Sequence, residues 1–389
     1  MIKRIKIEID RRIKDEDTVY AVIGPELRLR RLALNKTLKF VSYKICSVSY
    51  TCKIERNDIR PNASFLHEIS KRLGMDDNKI SMLLNLREIL EVGIKSILFN
   101  DYKEIKKIID ENTSFLNYRY KLLVFLYEAN NNNMQAAKAK YDELSQISRT
   151  MTDYDFKIFA IISAIYLFKS GCLTDSYNLL LSLEKMELNK NMNGVISLYL
   201  FYVTSGLGKP EAIYYHEVAK NYLYSIGSYE LLDYINYELA IFYIKHDSFN
   251  FAEKLIDTLN SNAYKKSISF ILAYLSNDNL KGYSKKNLIG IAKCIYDYKF
   301  ASESFKDTFE SMNGDYYQLD YSPLLFEFEL NDNIMDKYNY IVEKISKNPI
   351  VKEDYFLRKY FLNKMNSISS EMIKYKAFTD LYDNLLRKE

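Results

Sequence analysis

Phe40-Val41-Ser42-Tyr43-Lys44-Ile45-Cys46-Ser47-Val48-Ser49-Tyr50-Thr51-Cys52-Lys53-Ile54-Glu55-Arg56-Asn57 reads as two short helices meeting at a tight turn. The first helix is expected to run to Lys44, with Ile45-Cys46 at the corner. Ser47 then caps the second helix, because its hydroxyl can accept from an amide that the first helical turn leaves unpaired. This is the outline of a helix-turn-helix, whose second helix enters a DNA major groove.

Working outward, Leu27, Leu29, Leu32 and Leu34 sit among Arg28, Arg30 and Arg31, and Pro25 suits a first helical turn, so a helix is expected from Gly24. On the other side, Asn57 to Asn62 reads as a loop, and Asn57 can take the left-handed conformation at a helix C-terminus. Phe65, Leu66, Ile69 and Leu73 then stripe a further helix ending at Gly74. From Gly24 to Met75 there are eleven Lys or Arg against four Asp or Glu, a balance of +7; residues 1–23 carry +1, which leaves −4 for residues 76–389 of the total of +4. Positive charge concentrated on a helix-turn-helix attracts phosphate and makes affinity fall steeply with salt. Residues 1–22 alternate charged and apolar side chains and fit a short strand or a marginal helix equally.

At the spacings of Ile23-Gly24, the Arg-rich first helix, Phe40-Val41, Ser47, Ile54-Glu55-Arg56, Pro61 and Leu66-Ile69-Leu73-Gly74, the segment resembles the Xre/Cro-type helix-turn-helix. Ile45-Cys46 at the turn also looks like the PlcR branch of Gram-positive regulators. Three positions depart from the pattern: Thr37 stands where Gln is common, Thr51 where an aliphatic is usual, and Asn57 where Gly is usual. The resemblance implies that Ser47, Val48, Ser49, Tyr50 and Lys53 face the groove, that Cys46, Thr51 and Ile54 face the core, and that Thr37 and Arg56 contact phosphate. The chemistry agrees, since Ser hydroxyls bond phosphates or base edges, Val touches a thymine methyl, and Lys reaches guanine or phosphate. The plain alternative is that Ser47 only caps and Tyr50 only packs.

Composition bounds the rest. With 389 residues, 48% hydrophobic and 27% charged, the chain can bury a core, and with only 11 Gly and 5 Pro it lacks the punctuation of an all-β fold. An all-α chain is expected. Cys46, Cys52, Cys172 and Cys294 form no CxxC pair and read as reduced, mostly buried thiols. No apolar run reaches the roughly 18 residues of a membrane span, and the start lacks a signal peptide's apolar stretch, so a cytoplasmic protein without membrane contact is expected. His67, His216 and His246 are isolated, and no P-loop, glycine-rich fingerprint, Ser-His-Asp order or zinc motif occurs, which argues against an enzyme, a metal site or a cofactor.

Beyond Met75, amphipathic helices are expected, broken at Asn100-Asp101, Asn130 to Asn133, Ser170-Gly171, Gly206 to Pro210 and His246 to Ser248. Ala164, Leu167, Gly171, Leu173 and Ser176 match the small-aliphatic-turn-small spacing of a tetratricopeptide helix pair, as do Leu239, Ala240, Tyr243, Phe249 and Ala252. Weaker copies centre on Tyr102 to Ile105, Met134 to Ala137 and Gly208 to Ala212. Marker positions 105, 137, 176, 212 and 252 are separated by 32, 39, 36 and 40 residues, scattered about the ~34-residue tetratricopeptide period. Stacked helix hairpins forming a right-handed superhelix with a concave groove are expected. Its lining would include Ile161, Ile162, Ile165, Tyr237, Glu238, Ile241 and Lys245, with Tyr199, Tyr202 and Asn236 close by. Tyr offers apolar area with one polar tip, and Asn can pair with a peptide bond, so the surface suits an extended peptide.

A helix-turn-helix domain (residues 23–75, after an extension of residues 1–22) followed by tetratricopeptide-like hairpins (residues 76–389) resembles the Gram-positive peptide-pheromone receptors, the group named for Rap, Rgg, NprR, PlcR and PrgX. The resemblance implies a cytoplasmic, homodimeric transcription regulator that binds a double-stranded DNA operator and a short signalling peptide. Two rivals remain: a repeat adaptor that inhibits a partner protein, and a phage-type lysis-lysogeny peptide receptor.

Overall fold

The computed structural model describes residues 23–59, 61–75, 87–111, 117–276, 278–300, 333–348 and 355–371, together with Ile5 and a few single positions between 324 and 352. The expected extension of residues 1–22 thus lies outside the described residues except for Ile5, and the expected domain boundary after Met75 falls on residues 76–86, which lie outside them too. All regular elements among the described residues are helices. They group into two compact units, Met1–Lys169 with Asn178–Ile196, and Ser170–Tyr177 with Ser197–Glu389.

The first unit opens with four short helices: α1 (Ile23–Ala33), α2 (Leu38–Ser42), α3 (Val48–Glu55) and α4 (Ala63–Arg72). Leu27, Leu29, Val41, Ile54, Ile69 and Leu73 form their buried side. The corner between α2 and α3 comes earlier than the sequence suggested. α2 stops at Ser42, and Lys44 takes a left-handed φ of 57° where Ile45-Cys46 were expected to turn. Phe65 does not join the core stripe of α4 but stays exposed, edge-on to the Tyr50 ring. Next come α5 (Arg87–Phe99), α6 (Lys103–Glu111), α7 (Tyr118–Asn130), α8 (Met134–Ser145), a 3₁₀ turn (Ser148–Thr150) and α9 (Asp153–Lys169). α9 is buried on nearly every side, Ile161, Ile162 and Ile165 included, as expected of a helix apolar all round.

α10 (Leu173–Leu183) and α11 (Lys190–Gly206) each contribute residues to both units. The second unit continues with α12 (Glu211–Ile226), α13 (Tyr229–Lys245), α14 (Phe249–Ile256), α15 (Asn262–Leu275) and α16 (Gly290–Phe300), around a core of Ile241, Ile244, Ala252, Ile268, Phe270 and Ile271. α17 (Ile334–Tyr340), which runs on into a π-helical turn (Ile341–Ile345), and α18 (Tyr355–Glu371) build a separate cluster on Phe328, Ile341, Phe361 and Met365.

The five expected breaks are five helix-helix corners with one device in common. Each holds a single residue with positive φ: Asn100, Asn132, Gly171, Gly208 and Asp247. Gly pays no steric penalty there, and Asn and Asp tolerate it better than other residues. Four or five residues further on, Ile105, Ala137, Ser176, Ala212 and Ala252 are each wholly buried. The sharp turn folds the second helix back, and with a small residue at this point in four of the five the two backbones can approach closely. Ile105 shows that the device tolerates one larger side chain.

Candidate nucleic-acid interface

Two side-chain caps define α2 and α3. Thr37 Oγ1 accepts from the Phe40 N–H at 3.2 Å, and Ser47 Oγ accepts from the Tyr50 N–H at 3.1 Å. On α3, Thr51, Ile54 and Glu55 recur at helical spacing and are buried, whereas Ser49, Lys53 and Arg56 recur on the opposite side and are exposed, with Ser47 and Val48 exposed at the N-terminus. The helix therefore presents a short polar and basic edge, its amino-terminal end open to solvent. Cys46 is only half-buried, its Sγ 3.2 Å from Thr51 Oγ1.

Tyr50 is engaged within the four-helix segment α1 to α4, called the head below. Its Oη accepts from the Asn62 N–H at 2.9 Å, and its ring centroid lies 5.5 Å from that of Phe65. It pins the loop before α4 against the second half of the helix-turn-helix. Ser47 is occupied as a cap, but its hydroxyl stays at the surface. Thr37 and Arg56, expected at phosphate, are both exposed.

The positive balance of the head is partly internal. Arg31 forks onto Glu55, with Nε to Oε1 at 2.6 Å and a second nitrogen to Oε2 at 2.7 Å, which ties α1 to α3. That hydrogen-bonded carboxylate holds the Arg31 guanidinium more firmly protonated than usual. Arg30 donates to the Leu73 carbonyl at 3.1 Å, and Arg72 donates to the Val41 carbonyl at 3.0 Å, closing the end of α2. Among the described residues the solvent-facing cations are instead Lys36, Lys39, Lys44, Lys53, Arg56 and Lys71. Lys36 sits over the exposed Phe40 ring at 4.7 Å. Lys36, Lys39 and Lys44 were not singled out in the sequence, where a charge count cannot distinguish an exposed cation from one that bonds a carbonyl.

The head rests directly on the helices that follow it in the same unit. Glu26, only 5% exposed, accepts the Tyr118 N–H at 2.9 Å through Oε2. Burial pushes its carboxyl up from 4.5 to about 7, against the lowering effect of that hydrogen bond and of Lys121 and Arg30. At the far end of α3, Asn57 takes a φ of 60° and its side-chain amide donates to the Thr150 carbonyl. Beneath them, Asp155 is completely buried and is held by Arg119, with Nε at 3.0 Å from both oxygens, and by the Tyr118 hydroxyl.

In the second unit, the residues expected to line a peptide groove are mostly interior. Tyr199, Tyr237, Glu238 and Ile241 are buried and Asn236 nearly so, while Tyr202 and Lys245 are half-exposed. Aromatic contacts run from Tyr199 to Tyr202, Tyr234, Tyr237 and Tyr264 with successive centroids 5.0 to 6.5 Å apart. Asn236 Oδ1 lies 3.0 Å from His216 Nε2, and burial lowers the imidazole to about 4, so the neutral ring donates there. His216, isolated in the sequence, thus meets a partner twenty residues along the chain. Asp233 accepts the Asn260 and Ser261 N–H groups, each at 2.7 Å.

Among the described residues no group of three His, Cys, Asp or Glu is placed to hold a metal ion, and no helix is long and apolar enough to cross a membrane. Cys46, Cys52 and Cys172 are in no disulfide, and each is half-buried, where mostly buried thiols were expected. No protein-family model matches the chain, and no curated protein matches it either. Among solved structures, the chain is similar to Bacillus thuringiensis PlcR in complex with the peptide PapR7 and DNA, at 19% identity over 64% of this chain and 98% of that one, with a TM-score of 0.35.

Proposed function

We propose that the chain is a DNA-binding transcription regulator whose head, residues 23–75, places α3 in the major groove of a double-stranded operator. The observation that carries this reading is the capped, outward edge of α3, where Ser47, Val48, Ser49, Lys53 and Arg56 are all exposed, in a head whose Lys36, Lys39 and Lys44 are exposed too. Hydroxyls and a methyl-bearing side chain at the amino-terminal end suit base edges, and the flanking cations suit phosphate. Thr37 and Arg56 would position the head on the backbone. Tyr50 supports the geometry from within.

The helices beyond the head would take a short signalling peptide, with Tyr202 and Lys245 at the accessible margin and Tyr199, Asn236, Tyr237, Glu238 and Ile241 reached when the hairpins part. Peptide would favour one arrangement of the hairpins and thereby one spacing of two heads in a cytoplasmic homodimer.

A second reading, a repeat adaptor that binds a partner protein, is favoured by the exposed aromatics Tyr214, Tyr224 and Phe251 on α12 and α14. Gel-shift titration of a random-sequence duplex across a salt series, followed by operator selection from a random pool and repetition with peptide recovered from the native host, separates them. Salt-dependent binding with a selected operator supports the regulator. Absence of DNA binding at low salt removes it and leaves the adaptor.

A further inference from the structure

We propose that Asn57 is a positioning residue through which the helices behind the head set the orientation of α3, with Glu26 as the second anchoring point. The inference rests on the reading of α3 as a DNA-reading helix, but its structural half stands apart from it. A helix that ends in a left-handed residue needs only Gly or Asn there. Asn adds an amide, and here that amide reaches 93 residues along the chain to the Thr150 carbonyl in the 3₁₀ turn before α9. Its backbone ends α3 while its side chain ties that end to the turn. Gly24 makes this possible, because a β-carbon on Gly24 would overlap both the Asn57 side-chain oxygen and the Ile54 carbonyl.

The second point is a separate hydrogen bond from a different helix. Glu26, one turn along α1, accepts the Tyr118 N–H at the start of α7. Tyr118 in turn donates through its hydroxyl to the buried Asp155 on α9, the helix that the Thr150 turn precedes. Both anchors therefore converge on the start of α9, from α1 and from α3. One hydrogen bond leaves the head free to pivot about a point, whereas two at separate points leave rotation only about the line that joins them. Neither anchor uses the exposed edge of α3, so positioning and base contact are carried by different residues.

The test compares the full-length wild-type chain with Asn57→Gly, which keeps the left-handed backbone and deletes the amide, and Asn57→Asp, which keeps the shape but sets a carboxylate against the Thr150 carbonyl. Hydrogen-exchange mass spectrometry follows the Tyr118 amide, which Asn57 does not touch. Both variants are expected to speed its exchange about threefold or more, the effect of losing one hydrogen bond from a cooperative pair. In parallel, affinities are measured for a random-sequence duplex and for the best duplex that the wild type selects from a random pool. The preference for the selected duplex should fall about threefold or more while random-duplex affinity, set by phosphate contacts, stays unchanged. Unaltered exchange at Tyr118 in both variants overturns the coupling, and unaltered preference overturns its role in DNA reading. A wild-type chain that binds no DNA refutes the regulator reading, and the exchange result still decides the coupling.

Discussion

Replacing Glu26 by Gln should make the protein more stable at pH 8 and leave it nearly unchanged at pH 4.5. The carboxyl is buried, and its ionisation is pushed from 4.5 to about 7, first by loss of solvation. A raised acid favours the protonated folded state, so the stability it contributes is complete below the unfolded value of 4.5 and is lost as pH rises through about 7. At about 1.4 kcal/mol per unit, the loss amounts to about 3 kcal/mol. Gln keeps an amide oxygen for the Tyr118 N–H and has no charge to bury, so the variant should gain that amount over the wild type between the two pH values. The groups that set the shift besides Tyr118 are Lys121 and Arg30, which favour the charge, and Glu143, which opposes it. Because a chain of two compact units need not unfold in one step, the suitable assay is hydrogen exchange along α1 and the start of α7 at pH 5, 6, 7 and 8, corrected for intrinsic rates. If Glu26→Gln is less protected than the wild type at pH 8, or if the difference is independent of pH, the carboxylate is not a buried charge and the reasoning fails.

Ser47→Asp separates capping from DNA contact: Asp caps as well as Ser, so the melting temperature should hold, while a carboxylate at the outward end of α3 should abolish binding of duplex DNA in a gel shift. Lys53→Ala and Arg56→Ala should each reduce the slope of log affinity against log salt by about 1 with little change in stability, measured by fluorescence anisotropy. Arg31→Ala strands Glu55 in the interior and should cost about 3–5 kcal/mol in denaturant unfolding of the head, which an Arg serving mainly as a surface cation would not do.

The differences between expectation and structure have a common physical origin. A charge count treats Arg30, Arg31 and Arg72 like Lys36 and Lys53, yet the guanidinium's several directed donors suit it to carbonyls and carboxylates inside the head, and the lysines stay in water. Tyr50 was expected at the groove, but a phenol beside Phe65 and a loop amide has both apolar and polar partners within the head. Asn236 carries an amide that can pair with a peptide bond, and its oxygen meets the His216 ring. In each case the residue type was right for hydrogen bonding, and the partner was set by tertiary placement.

By itself, the sequence determined the all-α class, the helix cap at Ser47, the left-handed residue Asn57, the exposed edge of α3 and the five hairpin corners. These are local properties. A cap acts over three residues, helical spacing over four, and a positive φ is decided by a single side chain. Tertiary structure alone decided that Arg31 belongs to Glu55, that Glu26 answers to Tyr118 and that Asn57 answers to Thr150. Such partners lie 24 to 93 residues apart in sequence, and they meet only because packing of the apolar helix faces brings their backbones together.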